Sequence, residues 1–150
     1  MLRASGVLST GAAVSATAAL VDGTTLFTIS GGPIAIKQLQ SICITAAGVA
    51  VETIQYSSSP TVGSAKTFSG ASASLSGVAA GTTVTLNKTA LTTAPDVVTA
   101  ANGGLPLGAN VANDIIVQAG TITSVIASAT TGTWQHVIAY YPLAPGVTVV

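Results

Sequence analysis

Charge is what this chain lacks most: it has four Lys/Arg and four Asp/Glu among 150 residues, and no net charge at pH 7. An ordinary soluble domain carries charge on about a quarter of its residues. So few charges leave little repulsion between copies, and the surface reads as one made to rest against other protein. Arg3, Lys37, Lys66 and Lys88 are scattered, so the basic footprint of a nucleic-acid binder is missing. One cysteine, Cys43, excludes an internal disulfide, and one Cys with one His, His136, cannot build a zinc site. No apolar run reaches the roughly eighteen residues a transmembrane helix needs, because Ser, Thr and Gly interrupt each one. No membrane partner is expected.

The N-terminus loosely resembles a signal peptide, with Arg3 before small apolar residues and Ala16-Thr17-Ala18 as a cleavage-like triplet. Its apolar centre is diluted by Ser5, Gly6, Ser9, Thr10 and Gly11, so the expectation is an uncleaved extended arm over residues 1–12. A Gly/Ser-rich arm has no anchor of its own and needs an outside surface to order it. Residues 13–150 are then one domain, of ordinary size for a single core.

What the chain does have is Ala, Val, Thr, Ser and Gly in period-two alternation, broken by turn residues every eight to fifteen positions. That is the pattern of an all-β protein, and the expected fold is an antiparallel β-sandwich or jelly-roll-like domain. Ala13 to Leu20 reads as a weak strand, Asp22-Gly23 as a tight turn, and Thr24 to Ser30 as a strand. After Gly31-Gly32-Pro33, the longest run, Ile34 to Ala47, puts Ile34, Ile36, Ile42 and Ile44 on one face with Gln38 and Gln40. Lys37, Ser41 and Thr45 take the other. Val49 to Tyr56 is its expected hairpin partner. Ala71 to Val78 and Thr82 to Leu86 read as lighter strands, and Thr89 to Gly108 as a long connection. Ile115 to Gln118 is expected to pair with Thr121 to Ala129 across Ala119-Gly120.

The last strand, Thr133 to Tyr141, holds Trp134, Tyr140 and Tyr141, out of one Trp, three Tyr and two Phe in the whole chain. Trp134, His136, Ile138 and Tyr140 share one face, opposite Gln135, Val137, Ala139 and Tyr141. Both faces are largely apolar, so the strand is expected to be covered on both sides, with a subunit interface supplying one cover.

Motifs for chemistry are absent. His136 sits mid-strand between apolar neighbours and reads as a packed or interface histidine. No G-x-S-x-G elbow is present for a serine nucleophile. Asp22, Glu52, Asp96 and Asp114 show no spacing of a paired-carboxylate site. Calcium-loop and phosphate-cradling patterns are missing too. Asn87-Lys88-Thr89 fits the glycosylation triplet but reads as a turn. The expectation is no catalytic residue, cofactor, metal or small-molecule substrate.

The order of elements carries a resemblance. Leu26-Phe27-Thr28-Ile29-Ser30-Gly31-Gly32-Pro33-Ile34 leads into Leu39 and Ile42 to Ala47. The chain closes on Gly132, Trp134, Tyr140, Pro142-Leu143 and Gly146 with Val147 to Val150. This resembles the small Ala/Thr/Gly-rich virion proteins of tailed bacteriophages that decorate or cement capsids. The resemblance implies a β-rich, commonly trimeric subunit, made in the host cytoplasm and seated on the capsid exterior. Its implied partners are the major capsid protein and its own copies as a homotrimer. Candidate contacts are Leu2, Arg3, Val7 and Leu8 in the arm, with Trp134, His136, Ile138, Tyr140 and Tyr141 in the last strand. The alternatives are a head-fibre base or tail component, or a carbohydrate-binding sandwich using Tyr56, Phe68 and Tyr141 as aromatic platforms. A hydrolase centred on His136 ranks last.

Overall fold

A computed structural model describes residues 10–50, 52–98, 114–129 and 131–150. Among these residues the strands are β1 (Gly11–Thr17), β2 (Thr25–Ser30), β3 (Ile34–Cys43), β4 (Ile54–Pro60), β5 (Lys66–Thr67) and β6 (Thr83–Thr85). They continue with β7 (Asp96–Val98), β8 (Ile115–Val117), β9 (Gly120–Ile126), β10 (Trp134–Pro142) and β11 (Thr148–Val149). No helix occurs among the described residues. All pairings are antiparallel and form two sheets. One sheet runs β1-β10-β3-β6-β7, with β8 sharing with β6 the edge of β3 opposite β10, and the other runs β11-β2-β9-β4-β5. They pack as the all-β sandwich that the alternation implies, around Phe27, Ile29, Ile34, Ile36, Leu39, Ile54, Leu75, Ile122, Trp134 and Ile138.

Strand positions largely follow the sequence pattern, but the partners do not. Asp22-Gly23 is no hairpin turn: it carries the chain from β1 in one sheet to β2 in the other. The Asp22 carboxylate accepts from the Ile126 amide at 3.0 Å, which fastens this corner to the end of β9. Gly31-Gly32-Pro33 crosses back, and β4 pairs with β9 and β5 rather than returning against β3. Ile115–Val117 pairs with β3, while the strand after Ala119 joins β2 and β4, so the expected hairpin at Ala119-Gly120 is also a corner. Ala71 to Val78 forms no strand. It runs beside β4, where the hydroxyls of Ser69 and Ser72 accept from the Tyr56 and Ile54 amides at 2.8 and 3.0 Å. Serine side chains thus do for this edge what a neighbouring strand would do.

Two boundaries shift. β1 starts at Gly11, and Gly11 and Ala12 pair with Tyr140 and Ala139, so they belong to the sandwich and not to an arm. Residues 1–9 lie outside the described residues. The long run after Pro33 also changes phase. The β3–β10 register slips where Gln38 faces Ala139 but Ile36 faces Tyr140, leaving Lys37 as the extra residue of a bulge. Ile34, Ile36, Leu39, Ser41 and Cys43 therefore point inward. Ile42 and Ile44 turn outward, against the expected common face, and Ile44 is 49% exposed.

The Gly120 corner depends on its lack of a side chain. Its φ is +146°, and a Cβ there would collide with the Ser59 carbonyl and come within 2.7 Å of the Pro60 Cα. Gly120→Ala is expected to lower stability by about 2 kcal/mol or more. Urea denaturation followed by Trp134 fluorescence checks this, and an unchanged midpoint would remove the corner from the folding requirements.

Candidate interaction surface

The last strand presents two different faces. Trp134 and His136 are 0% exposed, Ile138 is fully buried and Tyr140 nearly so, all beneath the chain's own second sheet. These four were expected at a subunit interface, and the structure corrects that: the sandwich core already covers them. Tyr56 and Phe68, expected as glycan platforms, are likewise buried and stack on each other with centroids 6.4 Å apart. Of the last-strand candidates only Tyr141 reaches the surface, where the Lys37 ammonium stands 5.7 Å from its ring centroid. Leu2, Arg3, Val7 and Leu8 lie outside the described residues.

Within the core, His136 joins a chain of hydroxyls that crosses between the sheets. Its Nε2 lies 3.1 Å from Thr17 Oγ1 and its Nδ1 2.8 Å from Ser41 Oγ. Ser41 Oγ is 2.9 Å from the Tyr56 hydroxyl, which reaches the Val84 carbonyl at 3.4 Å. A carbonyl only accepts, so the donors run toward it: Thr17 to Nε2, Nδ1–H to Ser41, Ser41 to Tyr56, Tyr56 to Val84. The imidazole is neutral with its proton on Nδ1. Burial pushes its pKa down to about 4, with no charged neighbour contributing. Burial likewise raises the Tyr56 hydroxyl and the Cys43 thiol. In this tautomer His136 gives a hydrogen bond to Ser41, the reverse of what activating a serine nucleophile needs.

The carboxylates are dispersed. Asp22 holds a corner, Glu52 is buried, and Asp114 pairs with Lys88 at 3.3 Å. Asn87 accepts from the Thr89 amide at 3.0 Å, which makes the glycosylation-like triplet the turn it was read as. Among the described residues no three His, Cys, Asp or Glu side chains gather as a metal site.

The outer face of the larger sheet has a different character. The registers align Ala16–Gln135–Ile42, Val14–Val137–Gln40 and Ala12–Ala139–Gln38 as cross-strand rows, with Tyr141–Ala35–Ile116 beyond the bulge. Val14 is 58% and Ile116 60% exposed. Across the outward positions of β1, β10, β3 and β8, the sole charge is Lys37, drawn over Tyr141. Gln40 is held flat by its bond to Thr85 at 3.0 Å. The face is therefore mostly small and apolar side chains, with Gln38, Gln40 and Gln135 set among them. Sequence reasoning missed Val14, Ile42, Val137 and Ile116. The alternation of β1 and β10 marked the first and third, but nothing local announces the bulge that turns Ile42 outward.

Compared with known proteins, the chain matches no family model, no curated protein and no solved structure.

Proposed function

We propose that this protein is a structural, non-enzymatic virion component: a capsid decoration or cement protein that stabilises an icosahedral phage head from outside. The observation that carries the reading is the charge-poor outer face of the β1-β10-β3-β8 sheet, where Lys37 is the one charge. In this reading the face lies on the major capsid protein lattice, with Tyr141 at its margin and Leu2, Arg3, Val7 and Leu8 completing the contact as an arm. Repetition over a lattice multiplies weak individual contacts into stable attachment, so no deep pocket is required. The tautomer and burial of His136 favour a structural role for the chain's one histidine.

The test is co-sedimentation of the purified protein with phage shells that lack it. Val137→Asp and Ile42→Asp place charge on the proposed contact and are expected to weaken binding at least about tenfold while the protein stays folded. Deletion of residues 1–9 is expected to abolish stable decoration. Full decoration by all these variants would overturn the reading.

A further inference from the structure

We infer that His136 is an acid-operated latch on β1: a proton taken up at Nε2 breaks the ring's bond to Thr17 and opens that strand while the rest of the sandwich stays folded. Histidine changes its charge between pH 5 and 8, and a ring set between two elements makes their contact depend on pH. Here the ring bridges the two neighbours of β10. Thr17 Oγ1 stands on β1 at 3.1 Å and Ser41 Oγ on β3 at 2.8 Å.

The order of donors selects the side that gives way. The Val84 carbonyl fixes one end of the chain of hydrogen bonds, so Nδ1–H donates to Ser41 and Thr17 donates to Nε2. A proton on Nε2 leaves the Ser41 bond as it is. On the Thr17 side it sets two donors against each other, and Thr17 must turn its hydroxyl proton away. Water also comes from that side. Thr17 is half-buried, whereas Ser41 and Tyr56 are 0% exposed. Ser41 is in register with His136 on one side and Val84 on the other, so β3 is locked between β10 and β6.

β1 also has little to lose. Its inward side chains are Ala13, Ser15 and Thr17, so one alanine is its apolar contribution to the core. The Ser15 hydroxyl is buried with no hydrogen-bond partner among the described residues, and opening returns it to water. Opening β1 therefore costs less than unfolding the sandwich. Both events free the ring to take the same proton, and the cheaper one is populated first. Burial holds the folded ring neutral, with its pKa lowered to about 4. The titratable side chains on the strands packed around it are Cys43 and the outward Lys37 on β3 and Tyr56 on β4. β1, β2, β6, β8, β9 and β11 carry none, and β10 itself adds Tyr140 and Tyr141. Buried Glu52, just before β4, acts on Cys43, and no charged group contributes to the shift at His136. The latch rests on this core cluster and does not depend on the capsid reading.

Amide hydrogen exchange of the full-length protein, followed by NMR between pH 7 and pH 5 and corrected for the chemical exchange rate at each pH, tests the latch. Amides bonded between β1 and β10 are expected to lose protection about tenfold per pH unit below pH 6.5, at rates nearly independent of dilute urea. Amides bonded between β4 and β9 are expected to stay better protected at every pH and to respond steeply to urea, as groups released only by global unfolding do. In H136Q the pH dependence at β1 is expected to vanish. Should that variant not fold, the pH and urea responses of the unaltered protein decide alone. Protection at β1 that does not change with pH, a urea response there as steep as at β4 and β9, or an equal pH dependence in H136Q would each overturn the inference.

Discussion

Trp134→Ala is expected to cost about 3–5 kcal/mol, the range for emptying a large aromatic site in a packed core. Domains of this kind hold about 5–15 kcal/mol in total, so the variant should unfold readily and express poorly. The size follows from position. Trp134 is fully buried and lies in register between Thr17 of the edge strand and Cys43 of the central strand. Removing it opens a void beneath β1, β10 and β3 together. Trp134→Phe separates volume from polarity. The indole Nε1 is buried without a hydrogen-bond partner among the described residues, so phenylalanine discards an unsatisfied donor while keeping most of the ring. Its expected cost is under about half that of alanine. Denaturant titrations of the two variants check both values. A loss below about 1 kcal/mol for Trp134→Ala would show that the ring does not support the monomer core, and would return it to a subunit contact.

Burial of His136 is expected to make the fold lose up to about 3 kcal/mol of stability as pH falls from 7 to 4. The folded-state pKa of His136 is lowered from the ordinary 6.5 to about 4 because the ring is buried. Above pH 6.5 both folded and unfolded chains hold it neutral, and the full stability is present. As pH falls from 6.5 toward 4, the unfolded chain takes up a proton that the folded chain refuses, so the equilibrium shifts to unfolding. Below about 4 both states are protonated and the loss levels off. His136→Gln isolates the contribution of the ring. His136→Gln keeps an amide that can bond Thr17 and Ser41 but cannot titrate in this window. Its unfolding midpoint is expected to be lower at pH 7 and nearly flat down to pH 5. If the unaltered protein is also flat over that range, His136 is not buried as a neutral ring.

Both predictions rest on the inward face of β10, which the sequence showed as a row, Trp134, His136, Ile138 and Tyr140, without showing what covers it. Alternation says that four side chains share one side of a strand. It does not say whether the cover is the chain's own second sheet or a neighbour, since both bury apolar surface equally well. The outward face was legible in the same incomplete way. Val137 and Ala139 were recognised as apolar, but their neighbours on that face, Val14, Ile42 and Ile116, come from strands far apart in sequence.

By itself, the sequence determined the all-β class, most strand positions, the glycine and proline breaks, the turn at Asn87 and the shortage of charge. Each of these is set by residues within a few positions of one another: side-chain branching, backbone freedom at glycine, the missing amide of proline. The tertiary structure alone decided which strands pair, that Asp22-Gly23 and Ala119-Gly120 are corners between sheets, and that the Lys37 bulge reverses the faces of Ile42 and Cys43. Those outcomes depend on burial shared between distant segments, and a two-residue turn or a one-residue bulge leaves no local mark of which partner waits beyond it.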